Sequence, residues 1–282
     1  MTQSGRFAGR SKIFGSALPA GEFSAANRTG PITASIFKRP AIPSSFLSPP
    51  VRPMNGFGAG FVMRILSELE AIYEDKDLVA LDKPAGVNFD WALKERPELF
   101  VVHRLDKDTS GIILFAKNDK AQEYLRELFK NREIKKTYLA LVVGEIKNKE
   151  GKIELSIGRS KKTPLKRVAV GEKRGKIREA VTEYKVLKRL GGFTLVEASP
   201  KTGRTHQIRS HFAAIGHPVV CDRLYSGKRF VCPARLERQF LHAFSLELTL
   251  LSGSRSRLEA GLPEDLERVL QNLAQGDKNS KS

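Results

Sequence analysis

From Met63 onward the apolar residues fall into short runs separated by turn signals, a strand-rich pattern. Ala71-Ile-Tyr73 and Leu78-Val-Ala-Leu81 flank an acidic stretch at Glu74 to Asp77, the pattern of a β-hairpin. Lys83-Pro-Ala-Gly86 then breaks the chain. Gly111-Ile-Ile-Leu-Phe-Ala116 predicts a buried strand, and Lys136 to Val143 a further one. Residues 178 to 190 and 193 to 198 predict two strands joined at Gly191-Gly192. Helical spacing is confined to fewer places. Asn118 is an N-cap candidate, with Asp119 in the first turn. Ala121, Tyr124, Leu125, Leu128 and Phe129 then share one face, and the helix ends at Lys130, Asn131 and Arg132. Thr205 to Ile215 predicts a second helix, stopped by Gly216 and Pro218. Strands outnumber helices without a βαβ rhythm. The fold class expected is therefore α+β, with a mixed, mostly antiparallel sheet, flanking helices and a central cleft.

Charge narrows the partners. Lys+Arg 49 against Asp+Glu 31 gives +18, which favours a polyanion and above all nucleic acid. From Lys147 to Arg189 there are fifteen Lys/Arg and five acids, an imbalance suited to tracking phosphates. Cys221 and Cys232 are the only cysteines, too few for a disulfide scaffold or a Cys-based zinc site. Cys221 sits in an apolar context and is expected in the core. No apolar run reaches membrane-spanning length. Gly56-Phe-Gly-Ala-Gly60 lacks the last glycine of a dinucleotide fingerprint, and no P-loop, HExxH or CxxC occurs.

Residues 1–62 differ from the rest. They hold 7 of 14 prolines, 8 of 23 glycines, seven basic residues and one acid, Glu22, without persistent periodicity. Three readings stand side by side: a disordered basic arm, an organellar transit peptide, and an untranslated extension upstream of Met63. Residues 63–274 are expected to form the catalytic domain and 275–282 a frayed tail. The compartment expected is the cytoplasm, or a mitochondrion or plastid if residues 1–62 are a transit peptide.

Three segments carry chemistry. His103-Arg-Leu-Asp-Lys-Asp-Thr-Ser-Gly111 lies just before the buried strand. Asp106 there sits among Arg104 and Lys107, cations that favour an ionised carboxylate able to act as a nucleophile. A structural salt bridge would use the same residues. Lys201-Thr-Gly-Arg204-Thr-His206-Gln-Ile-Arg209 lies at the start of the second helix, where free N–H groups attract anions. Arg209 lies about 100° round from Ile208 and can reach inward. His206 and His211 are five apart, which disfavours a shared zinc ion. Tyr138 shares a strand face with Lys136 and Ala140, a position that also suits a core tyrosine.

In order along the chain, these segments resemble the RluA family of pseudouridine synthases. Ile72 to Gly86 resembles the family's first hairpin, and His103 to Gly111 its catalytic motif. Lys136-Thr-Tyr138 to Gly144, Gly203-Arg-Thr-His-Gln-Ile-Arg209, Gly216-His-Pro218, Asp222-Arg-Leu-Tyr225 and Leu241-His-Ala243 resemble the later motifs. The resemblance covers roughly residues 66 to 270. It implies isomerisation of uridine to pseudouridine in ribosomal or transfer RNA, without metal or other cofactor. It implies Asp106 as the catalytic carboxylate, Tyr138 stacked on the uracil and helping to remove the C5 proton, and Arg209 paired with Asp106. Arg104 would fill the space of the flipped-out nucleotide. Lys201, Arg204, Thr205, His206, Gln207 and Ile208 would bind the RNA. Cys221 stands where the family often has glycine, a change expected to matter little. No amino-terminal S4 module is evident. A monomer is expected from like-charged basic surfaces. Two rivals were weighed: a non-catalytic RNA-binding factor on the same fold, which would not require Asp106, Tyr138 and Arg209 together, and a small-molecule hydrolase, disfavoured by the charge and by the lack of a second carboxylate.

Overall fold

The computed structural model describes residues 69 and 71–279, apart from 164, 234 and 235. The expectations for residues 1–62 lie outside the described residues. Ten strands form one sheet. The hairpin β1 (Ala71–Glu74) and β2 (Leu78–Lys83) starts one edge, and its turn is closed by Asp75, whose Oδ1 accepts from the Asp77 and Leu78 amides at 2.8 Å each. Next come β3 (Phe100–Val101) and β4 (Ser110–Ala116). All seven residues of β4 are buried, as the unbroken apolar run requires. Helix α1 (Asp119–Asn131) follows; Asn118 caps it by accepting from the Ala121 amide at 2.9 Å.

Strand β5 (Lys135–Val143) continues the sheet, followed by β6 (Glu150–Glu154). Three short strands, β7 (Ile157–Ser160), β8 (Arg167–Val168) and β9 (Lys173–Arg178), make a separate small sheet within the basic stretch. The long hairpin β10 (Val181–Leu190) and β11 (Phe193–Pro200) turns at the two glycines, both at positive φ. Helix α2 (Gln207–Ala214), β12 (Leu241–Thr249), β13 (Arg255–Glu259) and α3 (Glu264–Asn279) complete the chain. The main order is β1-β2-β4-β12-β5-β11-β10-β6, with β3 beside β4 and β13 beside β12.

Among the described residues only β4 and β12 pair in parallel, through His242 opposite Ser110 and Ala243 opposite Gly111. This junction explains the last residue of the charged segment. Gly111 has φ +111, and a Cβ there would lie within 3 Å of Ala243 backbone atoms. Gly111→Ala therefore forces apart the two strands that flank the cleft, and it should leave little soluble protein. A near-normal yield and melting temperature would contradict this close approach.

One core lies under β2, β4 and α1, and a second packs α3 against Leu141, Leu190 and Phe240. A third packs Ile208 and Phe212 of α2 on Val196 and Ala198. Leu105 of the first core and Ile208 and Leu241 of the third line the cleft.

The structure departs from expectation at three places. Helix α2 starts at Gln207, because the Gln207 amide bonds back to Arg204 and puts residues 204–206 in a turn, with His206 at φ +56. Helix α3 runs on to Asn279, past residue 274; Leu266, Val269 and Leu270 bury its face, and each later residue adds one bond to an established helix. Cys221 is buried as expected, but it is disulfide-bonded to Cys232 and has φ +60. A glycine adopts that backbone freely, whereas cysteine there costs on the order of 1–3 kcal/mol.

Candidate active site

The cleft has a volume of about 450 Å³, and its lining includes Asp106, Tyr138, Arg204, His206 and Arg209. Asp106 comes from the turn between β3 and β4. The carbonyl of Asp106 accepts from the Thr109 amide at 3.1 Å, which closes the turn. Lys83, fully buried at the end of β2, ties that turn down. Its Nζ donates to the carbonyls of Pro84, Val87 and Lys107 at 2.8, 3.0 and 2.9 Å. Burial lowers its pKa to about 8. Lys83→Met leaves the Pro84 and Val87 carbonyls without this donor, while the Lys107 carbonyl keeps the Gly86 amide at 3.0 Å, and the loss costs roughly 3 kcal/mol. The expected fall in melting temperature is roughly 6–12 °C. An unchanged melt would show that water replaces the amine at no cost.

His103 opens the same segment. Burial lowers its pKa to about 3, so the ring is neutral. Its Nε2 accepts from the Leu114 amide at 2.8 Å, and the ring stacks on Phe129. His103 therefore fixes the segment to β4.

Arg209 reaches the cleft from α2, and its guanidinium is held on two sides. Nε and Nη2 donate to the two carboxylate oxygens of Asp222 at 2.6 and 3.0 Å. Nη1 donates to Asp106 Oδ2 at 3.1 Å. The expected pairing of Arg209 with Asp106 is present, but the two-pronged partner is Asp222, which is 0 % exposed. Burial opposes the charge on Arg209, and the bonds to Asp222 outweigh it, so its pKa is raised. The fork also lies over the Tyr225 ring, 5.1 Å from the centroid.

Tyr225 links two further parts. Its hydroxyl accepts from the Arg167 amide at 2.9 Å and meets His206 Nδ1 at 3.0 Å. His206 Nε2 lies 3.9 Å from Asp106 Oδ2. The tautomer with the proton on Nε2 serves both neighbours. The Tyr225 hydroxyl then donates to Nδ1, and Nε2–H faces the carboxylate. Burial lowers the His206 pKa, the Asp106 charge working against it.

Tyr138 projects from β5 into the cleft. Burial, and then the charge of Asp106, raise its pKa. The phenol is therefore neutral near pH 7, which suits a stacking surface. Arg104 is exposed at the cleft, its guanidinium 5.1 Å from the Phe89 ring centroid. Lys201 is exposed and pairs with Glu183 at 2.8 Å. Thr205 and Arg204 line the cleft, and Arg204 Nε donates to the Glu179 carbonyl at 3.1 Å.

Gln207 and Ile208 line the cleft and are also tied into the protein. Gln207 Oε1 accepts from the Thr202 hydroxyl at 2.6 Å and the Arg204 amide at 3.0 Å. Its Nε2 donates to the Val181 carbonyl and the Thr182 hydroxyl. Both its polar atoms are occupied within the protein, so Gln207 shapes the loop. Ile208 is buried in the core with Phe212. Sequence reasoning assigned no role to Asp222. A usable signal was present: an acid directly after Val219-Val-Cys221 is set for burial and requires a cation. Among the described residues no cluster of three or more His, Cys, Asp or Glu could hold a metal ion.

A carboxylate clamped by an arginine beside a cleft tyrosine, on this mixed sheet, defines a class that the comparisons name. The chain belongs to the RNA pseudouridylate synthase family, whose profile matches residues 77–214. It is 38% identical over 229 residues to the ribosomal large subunit pseudouridine synthase D of Nitrosomonas europaea, covering 72% of this chain and 64% of that protein. It is 38% identical over 220 residues to the ribosomal large subunit pseudouridine synthase C of Vibrio vulnificus, covering 72% and 68%. The chain thus spans less than two thirds of the first relative and slightly more of the second. A solved structure, human RNA Pseudouridylate Synthase Domain Containing 1, matches with a TM-score of 0.60 at 28% identity, over 73% of this chain and 95% of that one. The α+β fold expected from the sequence is the fold of this family.

Proposed function

We propose that this protein isomerises uridine to pseudouridine in RNA, with large-subunit ribosomal RNA as the substrate. The observation that carries the reading is the Asp106 carboxylate held by Arg209 inside a cleft rich in cations. The names of the curated relatives support ribosomal RNA over transfer RNA. The reaction breaks the N1–C1′ bond, turns the uracil and joins C5 to C1′. N1 gains a proton and C5 loses one, so the change is redox-neutral.

Stacked bases hide these atoms, and the target nucleotide must leave the stack. Arg104, exposed beside the catalytic turn, takes the vacated space. Tyr138 supports the uracil as a neutral ring. Asp106 acts at the ribose, oriented by Arg209 and faced by His206. Preorganisation of this kind is where most of a site's rate advantage arises. The test compares ribosomal RNA from cells with and without the protein. Pseudouridines are mapped by carbodiimide adducts and primer-extension stops. Loss of one or a few stops in large-subunit RNA is expected. No change, with the protein expressed and folded, would overturn the reading.

A further inference from the structure

Three cations line the cleft close enough together for their charges to interact. Lys136 stands two residues before Tyr138 on β5, so both side chains leave the same strand face. Arg132 is the residue that ends α1, in the left-handed conformation at φ +67. Arg204 sits in the turn before α2. All three line the cleft that holds Asp106. Arg132 and Arg204 each act on the Lys136 charge, and Arg132 also acts on Arg204. Arg204 is held by a single carbonyl, that of Glu179. Among the described residues no hydrogen bond or ion pair engages the side chain of Lys136 or Arg132.

Lys136 is largely buried and meets no carboxylate, so neither solubility nor a structural ion pair accounts for it; Arg132 is exposed beside it, and Arg204 is half-buried with Glu179 acting on its charge. Burial first, then the two arginines, lower the Lys136 pKa to about 8, so the empty cluster is electrostatically unfavourable. An anion placed among the three would relieve the repulsion. The wall also has a fixed relation to the chemistry. Lys136 lies about 7 Å along the strand from Tyr138, by the ordinary rise of a β-strand.

We propose that Lys136, Arg132 and Arg204 form a phosphate subsite that holds one backbone phosphate next to the target nucleotide. Gripping that phosphate sets the register of the strand, so that the flipped base arrives on Tyr138 beside Asp106. The inference deepens the RNA reading and rests on it for the source of the phosphate. The ligand chemistry itself, a phosphate monoester or diester anion, could also come from free phosphate.

Two measurements on the full chain test this. In the first, amine acylation followed by peptide mapping reads the reactivity of Lys136. Millimolar inorganic phosphate and a short uridine-containing oligonucleotide should both protect it. Neither should protect Lys120, an exposed residue near the start of α1 that does not line the cleft. Protection by phosphate but not by the oligonucleotide would mark a free-anion site and overturn the register role.

In the second, K136M binding to a large-subunit RNA transcript is followed across a salt series. The affinity should fall about five- to tenfold, with the log–log salt slope shallower by about 0.7, as for one lost single-strand phosphate contact. The rate at subsaturating RNA should fall in step with the affinity, and K136R should recover the slope. K120M should behave as the parent protein. An unchanged slope in folded K136M, or a collapse of rate with KM unchanged, overturns the subsite. Protection and a slope change in a protein that modifies no ribosomal RNA would instead overturn the proposed function and leave the subsite standing.

Discussion

Asp106→Asn is expected to leave a folded protein that binds RNA and no longer isomerises uridine. The substitution keeps the shape of the side chain and removes its charge. Asp106 is partly exposed, and Arg209 retains both bonds to Asp222 without it. The fold therefore does not depend on the carboxylate, and the melting temperature should shift by no more than about 3 °C. RNA affinity should stay within a few-fold, because the basic wall is untouched. The rate should fall by at least about 10⁴-fold, the scale seen when an essential catalytic group is removed. Release of tritium from RNA labelled at uridine C5 reads the chemistry, and filter binding reads affinity. Affinity lost in step with activity would weaken the catalytic assignment and favour the binding-factor rival.

The turn that carries Asp106 was legible in the sequence because its charged residues are contiguous. Nine consecutive residues from His103 to Gly111 carry the carboxylate, its neighbouring cations and the glycine that the strand junction needs. Asn118 was legible for the same reason, since a cap acts on the amide three residues away. The sheet order was not. Strand β12 lies between β4 and β5, and it pairs in parallel with a strand far back in the chain. No local pattern encodes that choice. The partner of Arg209 was missed because Asp222 is 13 residues away, in a different loop. The inward bonding of Gln207 was not legible, because its place between Arg204 and Arg209 suggests only substrate contact. Only the structure reveals that Val181, Thr182, Thr202 and Arg204 already occupy both its polar ends. Cys221 looked equivalent to glycine in size, and its left-handed backbone is a property that size does not report.

Asp222→Asn should damage both the fold and the rate, in contrast to Asp106→Asn. Asp222 Oδ1 accepts from the Leu224 and Tyr225 amides at 3.0 and 3.2 Å, and asparagine can keep those bonds. The loss falls on Arg209. Its Nε–H would then face an amide N–H₂ or a neutral oxygen, and arginine cannot shed its charge to compensate. Removing one partner of a buried ion pair costs roughly 3–5 kcal/mol. A fall in melting temperature of roughly 10 °C or more follows. Well below the melt, the rate per folded molecule should still drop about 10²-fold, the scale of a small misplacement in a site. The double variant D106N/D222N separates the two roles. With Asp222 lost, Asp106 is the remaining carboxylate on the guanidinium. Losing both should therefore lower the melting temperature by more than the sum of the single effects. Strict additivity would show that Arg209 finds another anion or reaches water. A normal melt and a normal rate in D222N alone would show that Asp106 needs no support from behind its arginine.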